Sequence, residues 1–268
     1  MLGKKNKMPE LIIPSFPFIC SALSAGSAVN RFFKWGKMKP TLTEKSGNLD
    51  YTRAREKMVQ EQIVDRGIRD PRVIGAMRKI PRHLFVPDAL LGRAYGDTAL
   101  PIGDSQTITQ PFMVAFMSEA LGLRGKERVL EVGTGSGYQA AVLACLAERV
   151  YSVERIPSLL ERARKTLDRV RCLNVVTKLS DGSYGWEEEA PFDAVLITAG
   201  APSLPPPLVD QLKTGGTMVI PVGERNNQRL IRLRKDSQGC SEKDLMECNF
   251  VALVGEYGWA KREKWRSY

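Results

Sequence analysis

The sequence is poor in the residues that metal and disulfide sites require. Its only histidine is His83, which excludes a multi-histidine metal site. The cysteines are scattered, odd in number and nowhere spaced as CxxC; they are Cys20, Cys145, Cys172, Cys240 and Cys248. This usage supports neither a disulfide framework nor a zinc site and is typical of a reducing compartment. We therefore expect a cytoplasmic protein without a metal cofactor.

An uninterrupted apolar run is also absent. Residues 11–29 are uncharged and follow three lysines, but Pro14 and Pro17 interrupt them, so a stable membrane span is not expected. Three interpretations stay open: export through residues 1–30, a disordered extension, and an upstream start codon in place of Met38. In each case we expect residues 1–48 to lie outside the fold, residues 49–258 to form one domain and residues 259–268 to be a basic tail.

The positive charge is not gathered on the predicted domain. The chain has a formal net charge of +10, of which residues 1–50 contribute +5 and residues 259–268 contribute +3. A nucleic-acid surface requires basic residues clustered on the folded body, and most of the excess here lies at the two ends. No nucleic-acid partner is expected.

Residues 129–138, which read VLEVGTGSGY, are the strongest functional signal. A buried parallel strand is predicted over 129–132, followed by a glycine turn and an alanine-rich helix. Alternate glycines permit positive φ angles and leave no Cβ between the main chain and a ligand. The turn predicts a small-molecule site with the residues Gly133, Thr134, Gly135, Ser136 and Gly137.

A second strand over 149–153 ends in Glu154, twenty-one positions after Gly133. In a βαβ unit the two strand tips are adjacent, so Glu154 is expected to accept hydrogen bonds from ribose hydroxyls. A dinucleotide fingerprint needs a third glycine where this chain has Tyr138. The GxGxG spacing with Glu131 ahead of it is typical of S-adenosylmethionine-dependent methyltransferases, where the acidic residue faces the methionine part. A dinucleotide-dependent oxidoreductase remains the alternative.

The segment 106–111, QTITQP, is a second candidate site. Pro111 suits the first turn of a helix predicted over 112–121, which places Thr109 and Gln110 at its N-terminus. Thr109 then either binds a negatively charged substrate or caps the helix. His83 lies in a proline-bounded loop over 81–87, where a structural role is a better interpretation than catalysis.

Several segments in chain order resemble bacterial protein-L-isoaspartate O-methyltransferases over about residues 51–256. The family runs GQTISQP, LEIGTGSGYQ, VERI, DG, FDAIIVTAA and GG-x-x-V-x-PVG, and this chain reads QTITQP, VLEVGTGSGYQA, VYSVERI, SDGSYGW, PFDAVLITAGAP and GGTMVIPVG. Two departures stand out. The family serine thought to contact the isoaspartyl carboxylate is Thr109 here, and the family's FVPL reads FVAL at 250–253.

The resemblance implies an α/β, Rossmann-like S-adenosylmethionine-dependent methyltransferase fold, with a mostly parallel twisted sheet and helices on both faces. Further strands are expected over 174–178, 192–198, 215–222, 229–234 and 245–253, the last two antiparallel at one edge. It also implies methyl transfer from S-adenosylmethionine to the α-carboxylate of L-isoaspartyl residues in damaged proteins and peptides, by a monomer. Thr109 would orient the carboxylate, and Asp181 and Gly182 would frame the adenine. A methyltransferase of another substrate and a binding-only protein stay open.

Overall fold

A computed structural model describes residues 51–260 of the chain. The helices are α1 (Tyr51–Met58), α2 (Pro71–Lys79), α3 (Pro111–Leu121), α4 (Tyr138–Ala144), α5 (Pro157–Arg169) and α6 (Pro206–Asp210). The strands are β1 (Leu100–Gly103), β2 (Gln106–Ile108), β3 (Arg128–Val132), β4 (Arg149–Glu154), β5 (Val175–Leu179), β6 (Phe192–Ile197), β7 (Leu212–Glu224), β8 (Asn227–Lys235) and β9 (Cys240–Cys248). The expected extension over residues 1–48 and most of the basic tail lie outside the described residues.

Seven strands form one sheet in the order β5-β4-β3-β6-β7-β8-β9. Strands β3 to β7 pair in parallel, whereas β7, β8 and β9 pair antiparallel. The predicted α/β fold, with a mostly parallel sheet and an antiparallel edge, is confirmed. Strands β1 and β2 form a separate two-stranded hairpin, so no backbone ladder joins that hairpin to the main sheet.

The prediction for the last strand was wrong. A strand was expected over 245–253, but β9 begins at Cys240, directly after a turn in which the Asp236 carboxylate accepts two backbone N–H groups. The start of β9 reads CSEKD and is exposed, so it lacks the apolar alternation that marks a strand buried on one face. Residues 249–253 leave the sheet edge, and Ala252 forms an isolated bridge with Gly200.

Side chains on the two faces of the sheet belong to two apolar clusters. Along β3, Val129 packs into a cluster that includes residues of α2, α3 and α4. Its neighbours Leu130 and Val132 pack into the other cluster, with Leu208 of α6. This alternation is the pleat of a strand buried on both faces. It confirms the prediction of helices on both faces of the sheet.

Helix α2 packs onto α3 and α4, and α1 contacts the helical turn that follows it. The helix that begins at Tyr51 continues as a π-helical turn over Val59–Val64, and α2 begins at Pro71 after Asp70, whose carboxylate accepts the Arg72 N–H. The α2 residues Val73 and Met77 are buried against this layer. Within residues 51–260 no helix has the length and apolarity needed to cross a membrane.

Candidate active site

A cleft opens at the carboxyl ends of β3, β4 and β6. The central strand β3 has β4 on one side and β6 on the other, so the chain reverses its direction of progress across the sheet at this point. Ligands of open α/β sheets bind at such switch points. The cavity volume of the cleft is about 60 Å³, and the cleft opens to solvent. Its lining includes Gln106, Thr107, Gly133, Gly135, Glu154, Arg155, Ile156, Gly182, Thr198 and residues 251–254.

The glycine turn forms the floor of the cleft. Gly133 has φ 100°, and a Cβ placed on it would lie 2.4 Å from the Thr198 hydroxyl oxygen. Thr198 donates that hydroxyl to the Gly133 carbonyl at 2.7 Å and also contacts the Val132 carbonyl at 3.0 Å, which ties the end of β6 to the turn. A side chain at position 133 would therefore break the floor of the cleft. Thr198 was not among the predicted site residues.

Glu154 ends β4 inside the cleft, at the position expected from its spacing. Its Oε2 accepts the Gly135 N–H at 2.9 Å, and its Oε1 accepts the N–H groups of Arg155 and Ile156 at 2.9 Å each. These three bonds fix the carboxylate against the glycine turn. Each carboxylate oxygen has two lone pairs, so Oε2 retains capacity to accept a ligand hydroxyl.

Glu131 and Thr134 lie beneath the turn rather than in the cleft. Glu131 has no exposed surface, and its carboxylate accepts a hydrogen bond from the Ser152 hydroxyl, which in turn lies 2.6 Å from the Thr134 hydroxyl. Burial raises the pKa of Glu131 to about 8. This polar chain supports the turn from below. Direct contact of Glu131 with the methionine part of a donor stays a prediction.

The two residues after β5 have different surroundings. Gly182 lines the cleft, and a Cβ on it would lie 2.5 Å from the Val132 side chain. The Asp181 carboxylate accepts the Ser183 N–H and hydroxyl through one oxygen and the Glu256 N–H through the other. Asp181 thus fastens the segment after residue 254 beside the cleft. Its predicted contact with adenine stays a prediction.

The β1–β2 hairpin supplies one wall of the cleft through Gln106 and Thr107. Thr109, two residues later, is half-buried and is not among the residues that line the cleft. The interpretation of Thr109 as a helix cap was wrong, because Gln110 occupies the N-cap position of α3 and makes no capping bond there. Within residues 51–260 no hydrogen-bond partner is found for the Thr109 hydroxyl. Its predicted contact with a substrate carboxylate stays a prediction.

His83 lies in the core beside the N-terminal helix, and it does not line the cleft. Its Nδ1 lies 2.7 Å from the Tyr95 hydroxyl, and its ring stacks on Tyr51 with 4.0 Å between centroids. Burial, together with the charges of Arg55 and Arg169, lowers the pKa of His83 to about 4. The structural interpretation of this residue agrees with these contacts.

The segment 251–254 completes the cleft and was not predicted as part of it. The fully buried Gln228 positions this segment by donating to the Phe250 carbonyl and accepting the Phe250 N–H at 2.8 Å. Gln228 lies on β8, far from the glycine turn in sequence, so no local pattern indicates the contact. The resemblance to FVPL was the only available signal.

The residues of the cleft fit a nucleoside-containing methyl donor. The fixed Glu154 carboxylate suits ribose hydroxyls, and Val132 and Val153 supply apolar surface. No basic side chain other than Arg155 lines the cleft in the part of the chain that the structure describes. Residues 51–260 hold no group of three or more His, Cys, Asp or Glu residues arranged around a common metal position.

Comparison with known proteins agrees with this geometry. Residues 53–258 match the family model of protein-L-isoaspartate(D-aspartate) O-methyltransferase. A protein-L-isoaspartate O-methyltransferase of Syntrophotalea carbinolica is 57% identical over 212 residues, which cover 79% of this chain and 98% of the relative. One from Geobacter metallireducens is 55% identical over 216 residues, which cover 80% of this chain and 100% of the relative.

Two solved structures share the fold and exceed 25% identity. A protein-L-isoaspartate O-methyltransferase aligns with a TM-score of 0.70 and 29% identity, over 76% of this chain and 67% of that one. A Plasmodium falciparum protein of the same name, in complex with S-adenosyl-L-homocysteine, aligns with a TM-score of 0.65 and 26% identity, over 75% of this chain and 98% of that one. The family match, the curated relatives and the shared fold show that this chain belongs to the protein-L-isoaspartate(D-aspartate) O-methyltransferase family.

Proposed function

We propose that the cleft carries out the family's reaction, transfer of a methyl group from S-adenosylmethionine to the α-carboxylate of L-isoaspartyl residues in damaged proteins. The chain is an S-adenosylmethionine-dependent protein-L-isoaspartate O-methyltransferase by its family match and its relatives. The observation that carries the assignment of the cleft is the Glu154 carboxylate, held by three backbone N–H groups beside the glycine turn. The co-substrate is S-adenosylmethionine, and no metal takes part in the proposal.

Different residues of the cleft would bind different parts of the donor. Glu154 would accept the ribose hydroxyls, and the backbone of residues 133–137 would line the methionine part. Gly182 would lie against the adenine, with Asp181 holding the segment 255–257 that borders it. Glu131, Thr134 and Ser136 would bind the donor with them, and Glu131 and Thr134, buried below the turn, would also fix its shape.

The substrate carboxylate needs alignment rather than activation. A carboxylic acid has a reference pKa near 4, so at pH 7 it is already ionised and nucleophilic, and no general base is required. Thr109 would donate its hydroxyl to one carboxylate oxygen and direct the other toward the methyl group that the bound donor supplies. Holding the reacting groups in line removes much of the entropic barrier. Without the enzyme, the backbone nitrogen of the isoaspartyl linkage then attacks the ester carbonyl and expels methanol to form a succinimide, whose hydrolysis returns some normal aspartate.

Further features of the protein are part of the same proposal. Residues 49–258 would be the catalytic domain, supported by the family match over 53–258. The enzyme would act without nucleic acid, since the chain between its two basic ends has a net charge of only +2. It would act as a monomer. The scattered cysteines support a cytoplasmic location.

The proposed repair is tested by following an isoaspartyl peptide by chromatography with enzyme and S-adenosylmethionine. We expect the normal aspartyl peptide to accumulate through a succinimide, and only when the donor is present. Calorimetric titration with S-adenosylhomocysteine and with NAD separates the donor classes. Binding of NAD alone, or loss of the isoaspartyl peptide without donor, would contradict the proposal.

A further inference from the structure

The β1–β2 hairpin forms a wall of the cleft but is not part of the main sheet. Its base is fixed by apolar packing, because Leu100, Ile102 and Ile108 are all buried in the main core cluster. Its turn lies outside that packing, where Asp104 and Ser105 are exposed. The position of Gln106 and Thr107 over the cleft therefore depends on what holds the turn.

The turn is built to present Asp104 to helix α5. Asp104 and Ser105 have φ angles of 52° and 57°, a left-handed conformation that Asp adopts more readily than most residues. The Asp104 Oδ2 accepts the Ser158 hydroxyl at 2.8 Å and Arg162 Nη2 at 3.3 Å. Ser158 and Arg162 are one helical turn apart, so both face the same carboxylate.

Gly103 makes room for this contact. Its φ is 93°, and a Cβ on it would lie 3.3 Å from Arg162 Nη2, tighter than an ordinary van der Waals contact. We call the contact of Asp104 with Ser158 and Arg162 the Asp104 latch. Gly103 and Asp104 of the turn form one side of it, and Ser158 and Arg162 of α5 form the other.

The latch joins the two sides of the cleft. On the hairpin side, Gln106 and Thr107 line the cleft, and Gln106 Nε2 also donates to the Asp104 carbonyl at 3.3 Å. On the other side, α5 begins at Pro157, directly after the cleft residues Glu154, Arg155 and Ile156. A bond between the turn and the first turns of α5 therefore fixes the width of the cleft between them.

We propose that Asp104 is a positioning residue that holds the hairpin against α5 and so slows release of the bound donor. This inference rests on the proposed function, because it takes the cleft to be the donor site. Both Asp104 and Arg162 are about half exposed, and exposed ion pairs contribute little to global stability. Loss of the latch should therefore change donor kinetics without lowering the melting temperature.

Three single variants test the latch from both sides. Asp104→Asn keeps a residue that tolerates the left-handed turn, whereas Ser158→Ala and Arg162→Met leave the turn untouched. The matched control is Glu161→Gln, which breaks the exposed pair with Lys165 on the same helix. Stopped-flow measurements give the dissociation rate of S-adenosylhomocysteine, and steady-state assays at saturating peptide give kcat and the KM for S-adenosylmethionine.

We expect dissociation to accelerate about two- to tenfold in Ser158→Ala and in Arg162→Met, the range for loss of one hydrogen bond, with KM for the donor rising in parallel. Asp104→Asn keeps an acceptor oxygen but removes the charge, so it should accelerate dissociation no more than Arg162→Met does. At saturating donor kcat should not fall, and the Asp104→Asn/Arg162→Met double variant should be no worse than the more affected single one. Unchanged dissociation rates, or an equal effect of Glu161→Gln, would overturn the latch. A wild-type protein that bound no S-adenosylhomocysteine would instead overturn the proposed function and the latch with it.

Discussion

The role of Glu154 leads to a quantitative prediction for the variant Glu154→Gln. The native carboxylate is 6% exposed and accepts three backbone N–H groups. In the variant the single amide oxygen would stay with the two donors of Arg155 and Ile156. The amide nitrogen would then face the Gly135 N–H, so that two hydrogen-bond donors would oppose each other, and no charged acceptor would remain for the ribose hydroxyls. The change therefore weakens donor binding directly and also loosens the glycine turn.

Loss of a charged hydrogen-bond acceptor costs about 1.5–3 kcal/mol, so the dissociation constant for S-adenosylhomocysteine should rise about 13- to 160-fold. Calorimetric titration of the wild type and the variant measures this directly. Glu161→Gln serves as the control for the charge change alone, since Glu161 is 68% exposed and pairs only with Lys165 on its own helix. Equal affinity of the Glu154→Gln variant and the wild type would refute the assignment of Glu154 to the donor.

Three further predictions follow from other parts of the structure. Thr109→Val should lower kcat/KM for an isoaspartyl peptide by about ten- to two-hundred-fold while donor affinity stays near normal. Thr109→Ser should retain activity, and normal kinetics of the Thr109→Val variant would remove Thr109 from the site. A chain that begins at Tyr51 should fold and methylate, and failure of either would show that the preceding residues are needed. The pKa of His83 is lowered from 6.5 to about 4, so its contribution to stability is complete above pH 6.5 and is lost as the pH falls toward 4. His83→Asn should therefore show a shallower loss of unfolding free energy over that window in urea titrations; an unchanged slope would contradict the buried neutral imidazole.

The parts of the site that could be predicted from the sequence are the local ones. A strand, a glycine turn and a second strand ending in an acid lie within twenty-six residues, and their geometry follows from the βαβ connection alone. The positions of residues 133–137 and Glu154 in the structure agree with that prediction. The parallel order of the central strands is confirmed for the same reason.

The rest depends on contacts between distant segments. The end of β6 brings Thr198 to the cleft, and the buried Gln228 positions residues 251–254 there. Neither contact is indicated by a local sequence pattern. Glu131 illustrates a second limit, because the hydrogen bond that its carboxyl accepts from Ser152 beneath the turn could not be predicted from the sequence. The start of β9 was missed because an exposed edge strand carries polar residues on both faces.

The central claim, esterification of the isoaspartyl α-carboxylate, is tested most directly by transfer of a labelled methyl group. Two peptides of identical sequence, one with an L-isoaspartyl residue and the other with the normal aspartyl residue, are incubated with the protein and methyl-labelled S-adenosylmethionine. We predict that base-labile label enters the isoaspartyl peptide only. Label in both peptides to the same extent, or in neither while S-adenosylhomocysteine still binds, would contradict the claim.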